Sequence, residues 1–251
     1  MVCSYCNRTI NKYKDDNNKM IIAIAEIGHL ECIKNINHKL YKSNPNVCAT
    51  FARNGNIRCL KYAHTINYTW NELTTNNAAL YGKLECLVYA HKNGCKITKK
   101  TIENASLNGH IKCLVYANKN RKNDFISNKV CANAALKGQL NCLRYAINSN
   151  YTLDKLTCEN ATRGGHIQCL IYAYENGCNW DEKIYKIALE KGNIGCFIYA
   201  FMNNCPYDKN TLRQMMSDNN ENIINNIIQM SFDDVVYIYY MWNFIMKQVY
   251  S

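Results

Sequence analysis

Cysteine and histidine are the residues here with the most chemistry to offer, fifteen and six of them in 251 positions. Cys3 and Cys6 form one Cys-x-x-Cys pair, half of a four-ligand zinc set. No second pair with that spacing follows, so the pair is read as part of an unremarkable N-terminus and no metal is expected. Seven further cysteines (Cys32, Cys59, Cys86, Cys113, Cys142, Cys169, Cys196) each stand four residues after a glycine. Equivalent residues of stacked helices lie about 10 Å apart, whereas a disulfide needs Cα atoms within about 7 Å, so this column cannot crosslink itself. Within a repeat, Cys48 and Cys59, Cys131 and Cys142, or Cys158 and Cys169 face one core and are near enough to meet, but reduced thiols acting as small hydrophobes are expected. Three histidines follow a glycine (His29, His110, His166), where a ring hydrogen-bonded across the turn is a structural device. There is no His-Glu-x-x-His and no glycine-rich phosphate loop, so neither a catalytic set nor a cofactor is expected.

The elements that position these residues are repeats. The glycines Gly28, Gly55, Gly82, Gly109, Gly138, Gly165 and Gly192 are spaced by 27, 27, 27, 29, 27 and 27 residues, an internal period. The unit is best seen from Asn77 to Cys95. An apolar residue seven before the glycine (Ile21, Ile102, Cys131, Cys158, Tyr185) is followed three later by Ile24 or an alanine, which puts both on one helix face. The glycine ends this first helix in a left-handed turn. The second helix carries Leu or Ile at two after the glycine, Cys at four, Leu, Ile or Phe at five and usually Ala at eight, one broad apolar stripe. Asn-Gly closes it at Asn93-Gly94 and Asn176-Gly177, and Asp181 and Asp208 are N-cap candidates for the first helices that follow. Nothing alternates with period two, so no strand is predicted. In an eighth, decayed copy Asn219 replaces the glycine and Ile223 the cysteine, and a helix over 232–248 closes the array.

The net charge is +11. It could draw nucleic acid or an anionic membrane surface, but the basic residues are scattered, and the densest run, Lys119 to Lys129 with Arg121 and Lys122, reads as a solvated loop in the one repeat with two extra residues. No leader peptide is legible at the start. The apolar run from Val235 to Met246 is shorter than the roughly 18 to 20 residues of a membrane span and is read as a buried terminal helix. A cytosol-like, cytoplasmic location is expected.

The run Ala78-Ala79-x-x-Gly82-Lys83-Leu84-Glu85, with Cys86-Leu87 and then Asn93-Gly94-Cys95, resembles the ankyrin repeat over roughly 19–228, and Gly-His recurs at Gly28-His29, Gly109-His110 and Gly165-His166. The period is 27, where that family has about 33, and the Thr-Pro-Leu-His opening is absent, so the β-hairpin fingers of the family are not expected. Short Cys-, Tyr- and Asn-rich copies of this form resemble the ankyrin-type proteins of giant DNA viruses of amoebae. That resemblance implies a viral protein that binds a host or viral protein.

Four candidate features result. Asn77, Asn104, Asn133 and Asn160 stand five before the glycine, inside a helix where asparagine is a poor former, and are expected to form a hydrogen-bonded structural ladder between repeats. Two before the glycine the sequence reads Glu26, Arg53, Leu80, Leu107, Leu136, Arg163, Glu190, at a position that faces the concave groove in the ankyrin family. Leu80, Tyr81, Leu107 and Leu136, with Arg53 and Arg163, are therefore the expected partner site. The tyrosines seven after the glycine (Tyr62, Tyr89, Tyr116, Tyr145, Tyr172, Tyr199) are expected to pack between second helices with their hydroxyls on polar partners rather than to stack bases. The expected fold is an all-α, elongated solenoid of helix-turn-helix repeats of about 27 residues, with a tail or atypical cap over 1–18, seven repeats over 19–207, and a degenerate eighth repeat and capping helix over 208–251. The expected function is a monomeric, non-catalytic protein-interaction scaffold. The alternatives are a nucleic-acid-binding solenoid and a structural virion component.

Overall fold

A computed structural model of the chain describes residues 3–13, 16–36, 42–121, 127, 129–218 and 232–250. Among them are seventeen helices and no strand. The chain divides into two compact units, 1–126 and 127–251.

The first unit begins with α1 (Ser4–Lys12) and continues as four hairpins: α2 (Asn17–Ile27) with α3 (Leu30–Lys34), α4 (Pro45–Asn54) with α5 (Ile57–Thr65), α6 (Glu72–Leu80) with α7 (Leu84–Lys92), and α8 (Lys99–Leu107) with α9 (Ile111–Lys119). First helices stack on first helices (α2 on α4, α4 on α6, α6 on α8), and second helices on second helices. The stretch read as a tail or atypical cap is thus helical over Ser4–Lys12 and packs on α2. Its Cys6 is fully buried.

The second unit repeats the plan with α10 (Val130–Leu136) and α11 (Leu140–Asn148), α12 (Lys155–Gly164) and α13 (Ile167–Glu175), then α14 (Lys183–Lys191) and α15 (Ile194–Met202). It ends with α16 (Lys209–Asp218), on α14, and α17 (Phe232–Tyr250), which packs on α15 and α16. Asn219 and Ile223, the decayed anchor and cysteine of the eighth copy, lie outside the described residues, as does most of the basic stretch after Arg121. Among the described side chains of the terminal helix, Ile245 and Val249 are inside but Tyr240 and Phe244 are exposed, which corrects the expectation that its apolar run is buried. A single helix covering the end of a unit has one side to bury, and its other side meets solvent. No helix of the described residues is long and apolar enough to cross a membrane.

The hairpin geometry follows from its glycines. All seven anchors have positive φ, and the turn closes by a pair of backbone bonds in which, for example, His110 N–H reaches Ala105 O at 2.9 Å and Gly109 N–H reaches Ser106 O at 3.3 Å. This pairing needs a left-handed residue at the glycine. The second left-handed position comes twelve residues later and is filled by Asn67, Gly94, Asn150, Gly177 and Asn204. Asparagine there tolerates the conformation, so the sequence alternates two residue types at one backbone shape. Helix starts are secured by Asn44 and Asn71, whose side chains accept backbone N–H groups two residues on, and by a Thr98–Thr101 capping box.

Each hairpin closes on a small core. Leu60, Leu87, Leu114, Leu143, Leu170 and Phe197, five after the glycines, are fully buried, and so are the alanines four before (Ala78, Ala105, Ala134, Ala161, Ala188). Small residues on the first helix let the second approach closely. Large ones on the second fill the space, each contributing about 1.5–3 kcal/mol of burial. All fifteen cysteines are free. The seven of the column are buried, and burial pushes the thiols of Cys113 and Cys142 up to about 11 and that of Cys86 up to about 12.

Candidate functional site

The asparagines five before the anchors sit on first helices and reach backward. Asn104 Nδ2 donates to Asn76 O at 3.2 Å, Asn160 Nδ2 to Ala132 O at 3.2 Å, and Asn77 Nδ2 to Ala49 O at 3.4 Å. Asn133, in the first helix of the second unit, makes no such bond among the described residues. Asn76 extends the pattern, because its Oδ1 accepts from Thr101 Oγ1 at 2.7 Å and Thr98 Oγ1 at 2.9 Å. A buried threonine–asparagine knot of this kind leaves no trace in the spacing of the glycines.

The residues after three of the anchor glycines also reach backward. His110 Nε2 lies 3.1 Å from Leu80 O, Asn56 Nδ2 donates to Ala25 O at 3.4 Å, and Asn193 Nδ2 to Thr162 O at 2.7 Å. His110 therefore bonds the preceding repeat instead of crossing its own turn. The tyrosines of the second helices do the same across the opposite edge: Tyr89 and Tyr116 lie edge-on to His64 and His91, with hydroxyl–imidazole distances of 2.9 Å in both. In the second unit Tyr199 meets Tyr174 and Trp180 edge-on.

The outward positions of the first helices carry the expected partner residues. In the first unit Leu80 and Leu107 are half-buried and Tyr81 is 47 % exposed. Arg53 forms an ion pair with Glu26 on the neighbouring helix. In the second unit Leu136 is half-buried, Arg163 is exposed and donates to Asn160 Oδ1, and Glu190 is exposed. Sequence reasoning missed Leu73 and Leu156, which are 41 % and 39 % exposed. They lie nine before their glycines, outside the spacings that define the repeat.

A second cluster joins the N-terminal helix to the first hairpin. Cys3 caps α1, its Sγ accepting the N–H of Cys6 at 3.4 Å, and the N–H of Cys3 donates to Cys32 Sγ at 3.3 Å. The Nδ1 of His29 lies 3.3 Å from Cys3 Sγ and 3.9 Å from Cys32 Sγ. The donor atoms of Cys3, Cys6, His29 and Cys32 all lie within 4.8 Å of one another. Cys6 and Cys32 are buried, Cys3 is intermediate and His29 is exposed. The Cys6 backbone N–H lowers the Cys3 thiol to about 6, whereas burial pushes Cys6 up to about 12. This corrects the expectation that Cys3 and Cys6 stand alone. Their complement is a His-x-x-Cys pair, which a search for a second Cys-x-x-Cys passes over.

No family model matches the sequence, and no curated protein does. The chain is similar in structure to the crystal structure of the human ASB11 ankyrin repeat domain, with 16% sequence identity and a TM-score of 0.52 over 63% of this chain and 84% of that one. At that identity the likeness is one of fold: the hairpins described above are stacked as ankyrin repeats are.

Proposed function

We propose that the chain is a non-catalytic protein-interaction scaffold that holds a partner against the outward face of its first helices. Leu80, Tyr81 and Leu107 are the apolar anchors in the first unit with Arg53 beside them, and Leu136 and Arg163 stand at the same positions of the second. One observation carries the reading. Tyr81 is left 47 % exposed beside half-buried Leu80, whereas Tyr89 and Tyr116 of the second helices are packed and bonded. An exposed aromatic with apolar neighbours and a charged rim is the composition of binding hot spots. The ankyrin-type fold supports a protein partner, and the wording of the repeats, similar to that of giant-virus proteins, supports a host or viral protein in an infected cell. Fifteen free cysteines suit a reducing, cytoplasmic setting.

Affinity capture from infected amoebae with the wild-type chain, repeated with Tyr81→Ala and Leu107→Lys, tests this reading. The same partner should be lost from both variants while helicity by circular dichroism is unchanged. Full retention of the partner by both would refute it. The charge of +11 favours a second reading, nucleic-acid binding. It predicts affinity for a random duplex that falls steeply with salt, and absence of binding near physiological salt removes it.

A further inference from the structure

We propose that Cys3, Cys6, His29 and Cys32 bind one structural Zn2+ that fastens the N-terminal helix to the first repeat. Three sulfurs and one imidazole nitrogen form a Cys3His set, a donor combination of structural zinc. With metal–sulfur bonds of about 2.3 Å and metal–nitrogen bonds of about 2.0–2.1 Å, a tetrahedral site spaces its ligand atoms by roughly 3.5–3.8 Å. The separations of 3.3 and 3.9 Å from His29 Nδ1 to Cys3 Sγ and Cys32 Sγ, and the 4.8 Å limit on all four donors, bracket that value. Small side-chain rotations bring all four to a common centre.

The sister repeats spell the same motif but use it differently. His-x-x-Cys follows the anchor glycine three times, as His29/Cys32, His110/Cys113 and His166/Cys169. The His110 ring bonds Leu80 O and lies against Gly82, where a Cβ would come within 2.5 Å of Nδ1. The His166 ring lies against Gly138 in the same way. His29 has no earlier repeat to grip, and its ring turns to the thiols of Cys3 and Cys32. The column cysteine changes role with it: Cys59 Sγ donates to Gly28 O at 3.2 Å, whereas Cys32 Sγ accepts the Cys3 N–H. Backbone N–H groups on Cys3 Sγ and Cys32 Sγ are the outer-shell bonds that hold ligand sulfurs in place. On binding, Zn2+ forms three Zn–S bonds and one Zn–N bond, and the thiol protons leave to solvent. The ion then crosslinks α1 to the first hairpin, which has no other hairpin on that side among the described residues.

The test uses the full chain, purified under reducing conditions, reconstituted with zinc and dialysed. Elemental analysis should find one zinc per chain, and cobalt substitution should give the visible absorption of tetrahedral thiolate coordination. Cys3→Ser combined with His29→Asn, both accessible positions, should reduce bound zinc to near zero with helicity retained. His110→Asn combined with Cys113→Ser, the sister pair, should leave it at one. Chelation of the wild-type protein should lower its melting temperature and leave that of the Cys3/His29 variant unmoved. The proposal is overturned by less than stoichiometric zinc in the wild type or by full zinc in the Cys3/His29 variant. It is equally overturned if mass spectrometry finds a disulfide among Cys3, Cys6 and Cys32 in protein held in a glutathione buffer of cytosolic poise.

Discussion

His64 and Tyr89 join the second helices of two consecutive repeats, the imidazole Nδ1 lying 2.9 Å from the phenol oxygen. Trp70 stacks on the same imidazole at 4.3 Å between centroids and meets Tyr89 edge-on. Tyr89→Phe removes the bond and keeps the ring, so it should cost about 1 kcal/mol. A double-mutant cycle with His64→Leu should give a coupling of about 0.5–1.5 kcal/mol in urea denaturation. A coupling near zero would reduce the bond to a bystander of ring packing.

The asparagine positions separate bonded from unbonded members of one column. Asn104→Ala removes the bond to Asn76 O and should cost about 0.5–1.5 kcal/mol, partly offset by alanine's better helix propensity. Asn133→Ala, with no corresponding bond among the described residues, should be neutral or stabilising by up to about 0.5 kcal/mol. Paired thermal melts decide the matter, and equal destabilisation of both would mean that burial, not the hydrogen bond, selects asparagine.

Two glycines of the same repeat should respond differently to asparagine. Gly94 has φ +101° with nothing near its added Cβ, and Asn67, Asn150 and Asn204 hold the equivalent place. Gly94→Asn should therefore cost under about 1 kcal/mol. At Gly82 a Cβ would meet His110 Nδ1 at 2.5 Å, so Gly82→Asn adds displacement of the ring, and of its bond to Leu80 O, to the strain. A loss of roughly 2–4 kcal/mol is expected, read as a fall in the urea midpoint.

Alkaline stability should follow the buried thiols. Burial raises Cys113 and Cys142 to about 11 and Cys86 to about 12, from 9.0. The folded pKa lies above the unfolded one, so this contribution is fully present below about pH 9 and is lost as pH rises through the folded values. Melting temperature should fall across that window, and less steeply in Cys113→Ala. An identical slope in the variant would assign the loss to tyrosine or lysine instead. Iodoacetamide at neutral pH should leave Cys86, Cys113 and Cys142 unmodified until the chain unfolds.

The hairpins were legible because their signals are local. A glycine at φ +67° to +76° and the large apolar residue five positions later lie within one repeat, and period alone exposes them. The bonds between hairpins were less legible. Tyr89 finds His64 from 25 residues away, and the backward reach of His110 depends on a carbonyl that no sequence pattern marks. The Cys3 cluster was hidden for a sharper reason. His29-x-x-Cys32 has the same spelling as His110-x-x-Cys113, and only the absence of an earlier hairpin gives the first copy a different neighbour. The exposed side of α17 is harder to read, because charge marks it only at positions such as Lys247 while Tyr240 and Phe244, inside the apolar run, lie on it too. Tyr240 at 69 % exposure shows that one covered face was enough.

The backward bonds of Asn56, Asn104, Asn160 and Asn193 all end on main-chain oxygens. Every amino acid supplies that acceptor, so a hairpin can be copied, exchanged or deleted in multiples of one period without its neighbour needing a matching side chain. Such a lineage is free to change length by unequal recombination while its outward residues diverge toward new targets.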